Sequence, residues 1–139
     1  MTATITQVRN GLKTRLATIS GLETFARTPG GSVNPPLAVV YPAPERFLHY
    51  DTAMDGLADN ATFLIKLAVA GVESDEAETA LDAYLAHSGS SSIRAAVAAD
   101  RRLSGIVGYA EVTDVVNYGT TIIGGQPYFG ADLLVSVAL

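Results

Sequence analysis

Apolar residues at Ile5, Val8, Leu12, Leu16 and Ile19 recur at intervals of three and four, which sets them on one side of a helix and leaves Arg9, Lys13 and Arg15 on its other sides. Thr4 offers a side-chain oxygen to the first free amides, and Ser20-Gly21 supplies a stop in which glycine takes the left-handed backbone angle. Gly11 weakens the middle of this helix slightly. Beyond a stretch rich in glycine and proline (28–36), the run LAVVY at 37–41 has the branched residues of a short buried strand, closed by Pro42. Residues 24–26 predict a short extended piece pairing nearby. From 61 to 72 the pattern alternates, with Phe63, Ile65, Leu67 and Val69 on one face and Thr62, Leu64, Lys66 and Ala68 on the other. This is the signature of a strand with one well-buried face.

Ser74 then caps a second helix whose first turn holds Asp75, Glu76 and Glu78, where free amides favour negative charge. Its apolar positions Ala77, Leu81, Tyr84 and Leu85 keep helical spacing to about His87, and Ser88-Gly89 closes it. The serines at 90–92 offer caps for a third, shorter helix containing Ile93, Ala96 and Val97 and ending near Asp100. Residues 106–118 return to extended chemistry. Gly124-Gly125 between TTII and QPYFGADLLVSVAL predicts a two-residue hairpin turn, with Ile123 opposite Gln126 and Val115 opposite Leu134 unless a bulge intervenes. In the last strand Phe129, Ala131, Leu133, Val135 and Val137 share a face.

The order of elements predicts an α+β fold, an antiparallel-rich β-sheet with helices packed on one face, in a single domain over 1–139. Its core should set Phe63, Ile65, Leu67, Leu133 and Val135 against Leu12, Leu16, Leu81 and Leu85. Residues 42–60, PAPERFLHYDTAMDGLADN, keep no period of either kind and read as a long loop. There Phe47, Leu48, Tyr50 and Met54 are mixed with Glu45, Arg46, Asp51 and Asp55, a mixture that suits an interface in which apolar anchors are desolvated and charges set register. Glu45, Arg46, Phe47, Tyr50, Asp51 and Asp55 are therefore candidate contacts to another subunit or to a tube, the loop being mobile alone and ordered by the partner. The competing reading folds the loop onto its own domain. Neither Phe47 nor Tyr50 lies on a core stripe, so serine at both positions should leave the subunit folded.

Composition narrows the function. With 139 residues, 48% of them hydrophobic, the chain fits one domain with a real core. The lack of cysteine excludes a disulfide scaffold and thiolate chemistry. A net charge of −5 argues against a free-standing nucleic-acid binder, though an acidic wall beside sliding DNA remains compatible with it. No apolar run resembles a signal peptide or is long enough to cross a bilayer, so no membrane association is expected.

The search for chemistry finds little. His49 and His87 are the only histidines, and both read as solvated or capping residues. Asp51, Asp55 and Asp59 are spaced by four and would share a face in a helical turn, but they lack the alternating oxygen ligands of a calcium loop. Gly30-Gly31 has no following lysine or helix start, serines 88 and 90–92 suit capping better than catalysis, and Arg101-Arg102 reads as a solvated pair past a helix end. The expectation is a protein without catalytic residues, cofactor or metal. The opposing class is a small metal-dependent enzyme built on Asp51, Asp55 and His49.

Several segments together resemble the small tail terminator proteins of long-tailed bacteriophages, chiefly those of actinobacterial hosts. They are VRNGLKTRLATISGL at 8–22, NPPLAVVYP at 34–42, LDAYLAHSGSSSIRAAVAAD at 81–100, NYG at 117–119 and GGQPYFGADLLVSV at 124–137, and they span nearly the whole chain. The resemblance implies a sheet flanked by helices and a ring homo-oligomer, usually a hexamer, on the head-proximal end of the tail. Such a ring ends tube polymerisation and joins the tail to the head. Its implied partners are itself, the tail tube protein and a neck or head-completion (stopper) protein, with DNA passing through the lumen without specific binding. Its implied location is the virion tail after assembly in the host cytoplasm, and the family brings no catalytic motif. Another neck component or a tube subunit is the alternative within the same biology, although tube subunits carry little helix. A ring closes head to tail only through two unlike patches on each subunit.

Overall fold

The computed structural model of the chain describes residues 4–29, 34–44, 47–49 and 60–139. Helix α1 (Ile5–Leu16) begins at Thr4 through a reciprocal pair: the Gln7 amide donates to Thr4 Oγ1 at 3.1 Å, and the Thr4 amide donates to Gln7 Oε1 at 2.8 Å. Val8, Leu12 and Leu16 on its inner stripe are fully buried. Gly11 is buried too, for a reason beyond helix propensity. A Cβ there would lie 3.1 Å from the Leu103 Cβ, so the missing side chain lets the segment after α3 (Ile93–Ala98) approach the helix. Arg15 joins the same two helices by donating from Nε to the Ala96 carbonyl at 2.9 Å. Arg15→Met should keep the aliphatic packing and remove this bond, at a cost of about 1 to 2 kcal/mol. Urea unfolding tests it, and an unchanged midpoint would show that the bond adds no net stability.

Strands β1 (Glu23–Phe25), β2 (Leu37–Pro42), β3 (Leu48–His49), β4 (Asn60–Ala70), β5 (Tyr109–Val116), β6 (Thr121–Ile123) and β7 (Gln126–Ala138) form one sheet system. The main path runs β1-β2-β4-β7-β5, with β3 added to β4 and β6 to β7. The class is α+β, as the pattern predicts. The sheet is mixed, however, because β1 pairs in parallel with β2 while every other pairing is antiparallel.

Helix α2 (Asp75–Leu85) is capped by Ser74, which accepts from the Ala77 amide, and ends at Leu85, two residues short of His87, because Ala86 adopts an extended backbone. Ser92 caps α3 and also donates to the Ala86 carbonyl, so one hydroxyl joins the end of α2 to the start of α3. The three helices pack on one face of the sheet, and the main core collects Phe63, Ile65, Leu67, Leu133 and Val135 against Leu12, Leu16 and Leu81, with Leu85 at its margin. This is the core the sequence predicts, extended by Leu103, Val107 and Ala110. Each fully buried aliphatic side chain contributes about 1.5 to 3 kcal/mol.

Gly124 and Gly125 form the hairpin turn with φ of 60° and 81°, and Ile123 opposes Gln126. Farther from the turn the register departs from the expected one: Val115 opposes Leu133, and Leu134 faces Asp114. One extra residue is absorbed at 117–120, where Asn117 and Gly119 take positive φ and the Gly119 amide donates to the Gly130 carbonyl at 2.8 Å. A second is absorbed by a bulge between Val112 and Asp114. The hairpin tip lies over the sheet's other face. Ile123 joins Leu37, Val39 and Ala68 in a second, smaller core with Phe25, Tyr41 and Tyr128 at its edge, and Lys66 Nζ donates to the Ile122 carbonyl at 2.8 Å.

Part of 42–60 is also regular. Ala43 donates to the Thr62 carbonyl at 3.0 Å, the Phe47 carbonyl accepts from the Thr62 amide at 2.7 Å, and β3 pairs with Asn60 and Ala61. Backbone pairing with β4, which side-chain periodicity does not report, holds these residues in place.

Candidate assembly surface

Among the six interface candidates, Glu45, Arg46, Tyr50, Asp51 and Asp55 lie outside the described residues, as does Asp59. Phe47 is described, and it turns toward the subunit's own core. Its ring meets Phe63 edge-on, with centroids 5.1 Å apart and planes at 84°. Leu48 packs on the same core. The expectation that Phe47 stands off the core is thus corrected: a short strand pairing on β4 carries its side chain beneath the sheet's helical face.

His49 sits exposed on β3, and His87 is exposed just past α2, where its carbonyl accepts from Arg94 Nη1 at 3.2 Å. Arg102 is solvated as expected. Arg101 is not: it is half-buried, its guanidinium lies 5.4 Å from the centre of the Tyr109 ring, and its Nε is buried without a hydrogen-bond partner. Among the described residues no cluster of three or more histidine, aspartate or glutamate side chains could hold a metal ion. Among them, too, no helix is long and apolar enough to cross a membrane.

The sheet's outward features are more telling. Six large apolar side chains are exposed among the described residues, and five of them, Tyr109, Val115, Val116, Tyr118 and Ile122, fall within 109–122. This stretch is the edge strand β5 and its continuation into the hairpin tip. Among the described residues no strand pairs with the outer side of this eight-residue edge strand, so a row of its backbone donors and acceptors is left open, flanked by valines. Beside it, on the face away from the helices, Ala43, Pro44, Thr62, Leu64, Val116, Asn117 and Leu134 line an open, mostly apolar groove of about 440 Å³.

The edge is held in shape by Asp132, a buried carboxylate of β7 that accepts from Asn117 Nδ2 at 2.8 Å and from Thr121 Oγ1 at 2.5 Å. Those two bonds fix both ends of the link between β5 and β6. Tyr118, within that link, donates from its hydroxyl to Asp82 on α2 at 2.8 Å. This bond, then desolvation and the charges of Asp82, Glu78 and Glu73, raise the Tyr118 phenol above its usual value. Glu78 is raised above its usual value as well, first by its hydrogen bond with Glu73, then by desolvation and by the like charges of Glu73, Asp75 and Asp82. The acidic first turn of α2 therefore carries more negative charge than its amides alone favour, and it forms an acidic end of the subunit.

Sequence reasoning missed this edge because VTDVVNYG looks like any apolar strand. No local signal in the sequence marks it, since adjacent branched residues beside a charge also occur in the buried strand β4 (Leu64, Ile65 and Lys66). The fold and surface define a class, a small helix-backed sheet with an apolar, unpaired edge and no assembled chemical site among its described residues. No family model and no curated protein matches the sequence.

Proposed function

We propose that the chain is the tail terminator of a long-tailed bacteriophage, a ring of identical subunits, six by the resemblance, on the head-proximal end of the tail tube. The ring stops tube growth and docks the tail to a neck protein, and DNA passes through its lumen without specific contacts. The observation that supports this reading is the concentration of exposed apolar side chains on one free sheet edge, a surface built to be covered. A sheet open at β1 on one side and β5 on the other offers two unlike lateral patches, which head-to-tail ring closure requires. The net charge of −5 suits a lumen along which DNA slides.

Negative-stain imaging of the purified protein, alone and with tail tubes, tests the proposal. Rings of uniform diameter and tubes capped at one end are expected. Val115→Asp together with Val116→Asp should leave a folded subunit, since both side chains are exposed, and yield tails of uncontrolled length that fail to join heads. A protein that forms no ring and caps no tube would remove the reading, and metal-dependent turnover by a monomer would replace it with an enzymatic one.

A further inference from the structure

We propose that copies of this chain meet head to tail through their helices, the basic side of α1 in one copy docking on the acidic outer face of α2 in the next. The inference rests on the ring reading and specifies a lateral contact for it. Three observations carry it. The first is that charge is segregated between two helices on the same side of the sheet. Helix α1 holds Arg9 and Lys13 and no carboxylate, and Arg27, two residues past β1, leans onto it by donating from Nη2 to Thr6 Oγ1 at 3.4 Å. At α2, Glu73, Asp75, Glu76, Glu78 and Asp82 follow one another with no basic residue among them.

The second is that neither patch is neutralised within its own subunit. Among the described residues, the charge acting on Arg9 is that of Arg27, and the charges acting on Glu78 and Tyr118 are those of carboxylates. Arg9 Nε is buried without a hydrogen-bond partner. Helix α3 packs against both α1 and α2 and keeps the two patches apart. The other described cations do not make up the deficit at α2: Arg15, Lys66 and Arg94 donate to carbonyls, Arg101 lies over Tyr109, and Arg102 is solvated. A second copy brings the missing charge to both patches at once, and because the patches are unlike, the contact is heterologous, as ring closure requires.

The third is shape. The outer turns of α2 form an open hollow of about 480 Å³ lined by Asp75, Glu76, Thr79, Ala80 and Ala83. An alanine floor with a carboxylate rim suits a long cationic side chain, whose aliphatic stem lies on the alanines while its head meets the carboxylates. Lys13 and Arg27 are both exposed and both of this kind. The patches also face different ways along the sheet, since Arg27 follows β1, whereas α2 is tied through Asp82 to Tyr118, just beyond β5.

A charge swap read by native mass spectrometry and sedimentation of the full chain tests the inference. Lys13→Glu with Arg27→Glu, and separately Asp75→Lys with Glu76→Lys, change only exposed side chains and should each weaken self-association by roughly tenfold or more through like-charge contact. All four changes together should restore association toward the original strength. Ala80→Trp fills the hollow without changing charge or a buried position, so it should keep the thermal midpoint and weaken association as well. Because the chain has no cysteine, Lys13→Cys with Glu76→Cys adds a further readout: oxidation should build a ladder of covalent oligomers beyond the dimer. A closed oligomer indifferent to all these changes overturns the helical contact and leaves the ring reading standing. Covalent products that stop at the dimer overturn it in favour of a two-fold pair. A chain that stays monomeric alone and at tube ends overturns both readings.

Discussion

Gly130→Ala should be the most damaging single-methyl addition in the chain. A Cβ at Gly130 would lie far inside van der Waals contact with the Leu67 carbonyl oxygen, 2.8 Å from that carbonyl carbon and 3.0 Å from the Ala68 Cα. All three are backbone atoms of the central strand β4, so no rotamer change can make room. The register shifts at this point: β4 carries an irregularity between Ala68, opposite Gly130, and Ala70, opposite Phe129, and β7 passes there from its pairing with β6 to its pairing with β4 and β5. Overpacking a core usually costs about 1 to 3 kcal/mol, and a clash with an immovable carbonyl belongs at or above the top of that range. Gly130→Ala should therefore lose soluble expression or lower the unfolding midpoint steeply. Gly71→Ala, at an exposed glycine with open space around it, serves as the control and should change little. Equal stability of the two variants would show that the close approach at Gly130 does not hold.

The same region marks where sequence legibility ends. Helix α1 with its Thr4 cap, α2 from Ser74, α3 from Ser92, strands β2 and β4, and the Gly124-Gly125 turn are all local events. Each follows from caps, spacing or backbone angles within a few residues, and each is readable in the sequence. The core stripes are readable for the same reason. The register beyond the hairpin is not, because it depends on where two extra residues are absorbed, and nothing in VTDVVNYGT states that Asn117 turns left-handed or that β5 bulges after Val112. The antiparallel-rich character of the sheet is readable from the hairpin, whereas the one parallel pairing, β1 with β2, is not, because the pattern within two short strands does not state their relative direction.

The candidate surface was less legible than the fold. The long segment 42–60 stands out by its composition, yet one described part of it, Phe47 to His49, is tied to β4 and to the core. The exposed edge lies instead on β5, in residues that propensity alone assigns to an ordinary strand. Burial of a strand is a property of its neighbours. Tyr109, Val115 and Val116 become a surface only because β5 ends the sheet, and strand order is a global outcome that no local window contains.

Phe47 and Phe63 supply the sharpest quantitative test of that correction. Phe63 is fully buried at the centre of β4, and Phe63→Ala should cost about 3 to 5 kcal/mol, a large share of the stability of a domain this size. Phe47 is half-buried against it, so Phe47→Ala should cost less, roughly half as much, and should still lower the unfolding midpoint clearly. The two losses should not add. Edge-on aromatic pairs contribute about 0.5 to 1.5 kcal/mol beyond their buried area, so the double variant should be less destabilised than the sum of the singles by about that amount. Phe47→Ser, which the sequence alone expects to spare the folded subunit, should now destabilise it before any effect on assembly. If instead Phe47→Ser unfolds at the same temperature as the parent and loses only ring formation, the ring contact reaches residue 47 after all, and the edge-on packing against Phe63 contributes nothing that the subunit needs in order to fold.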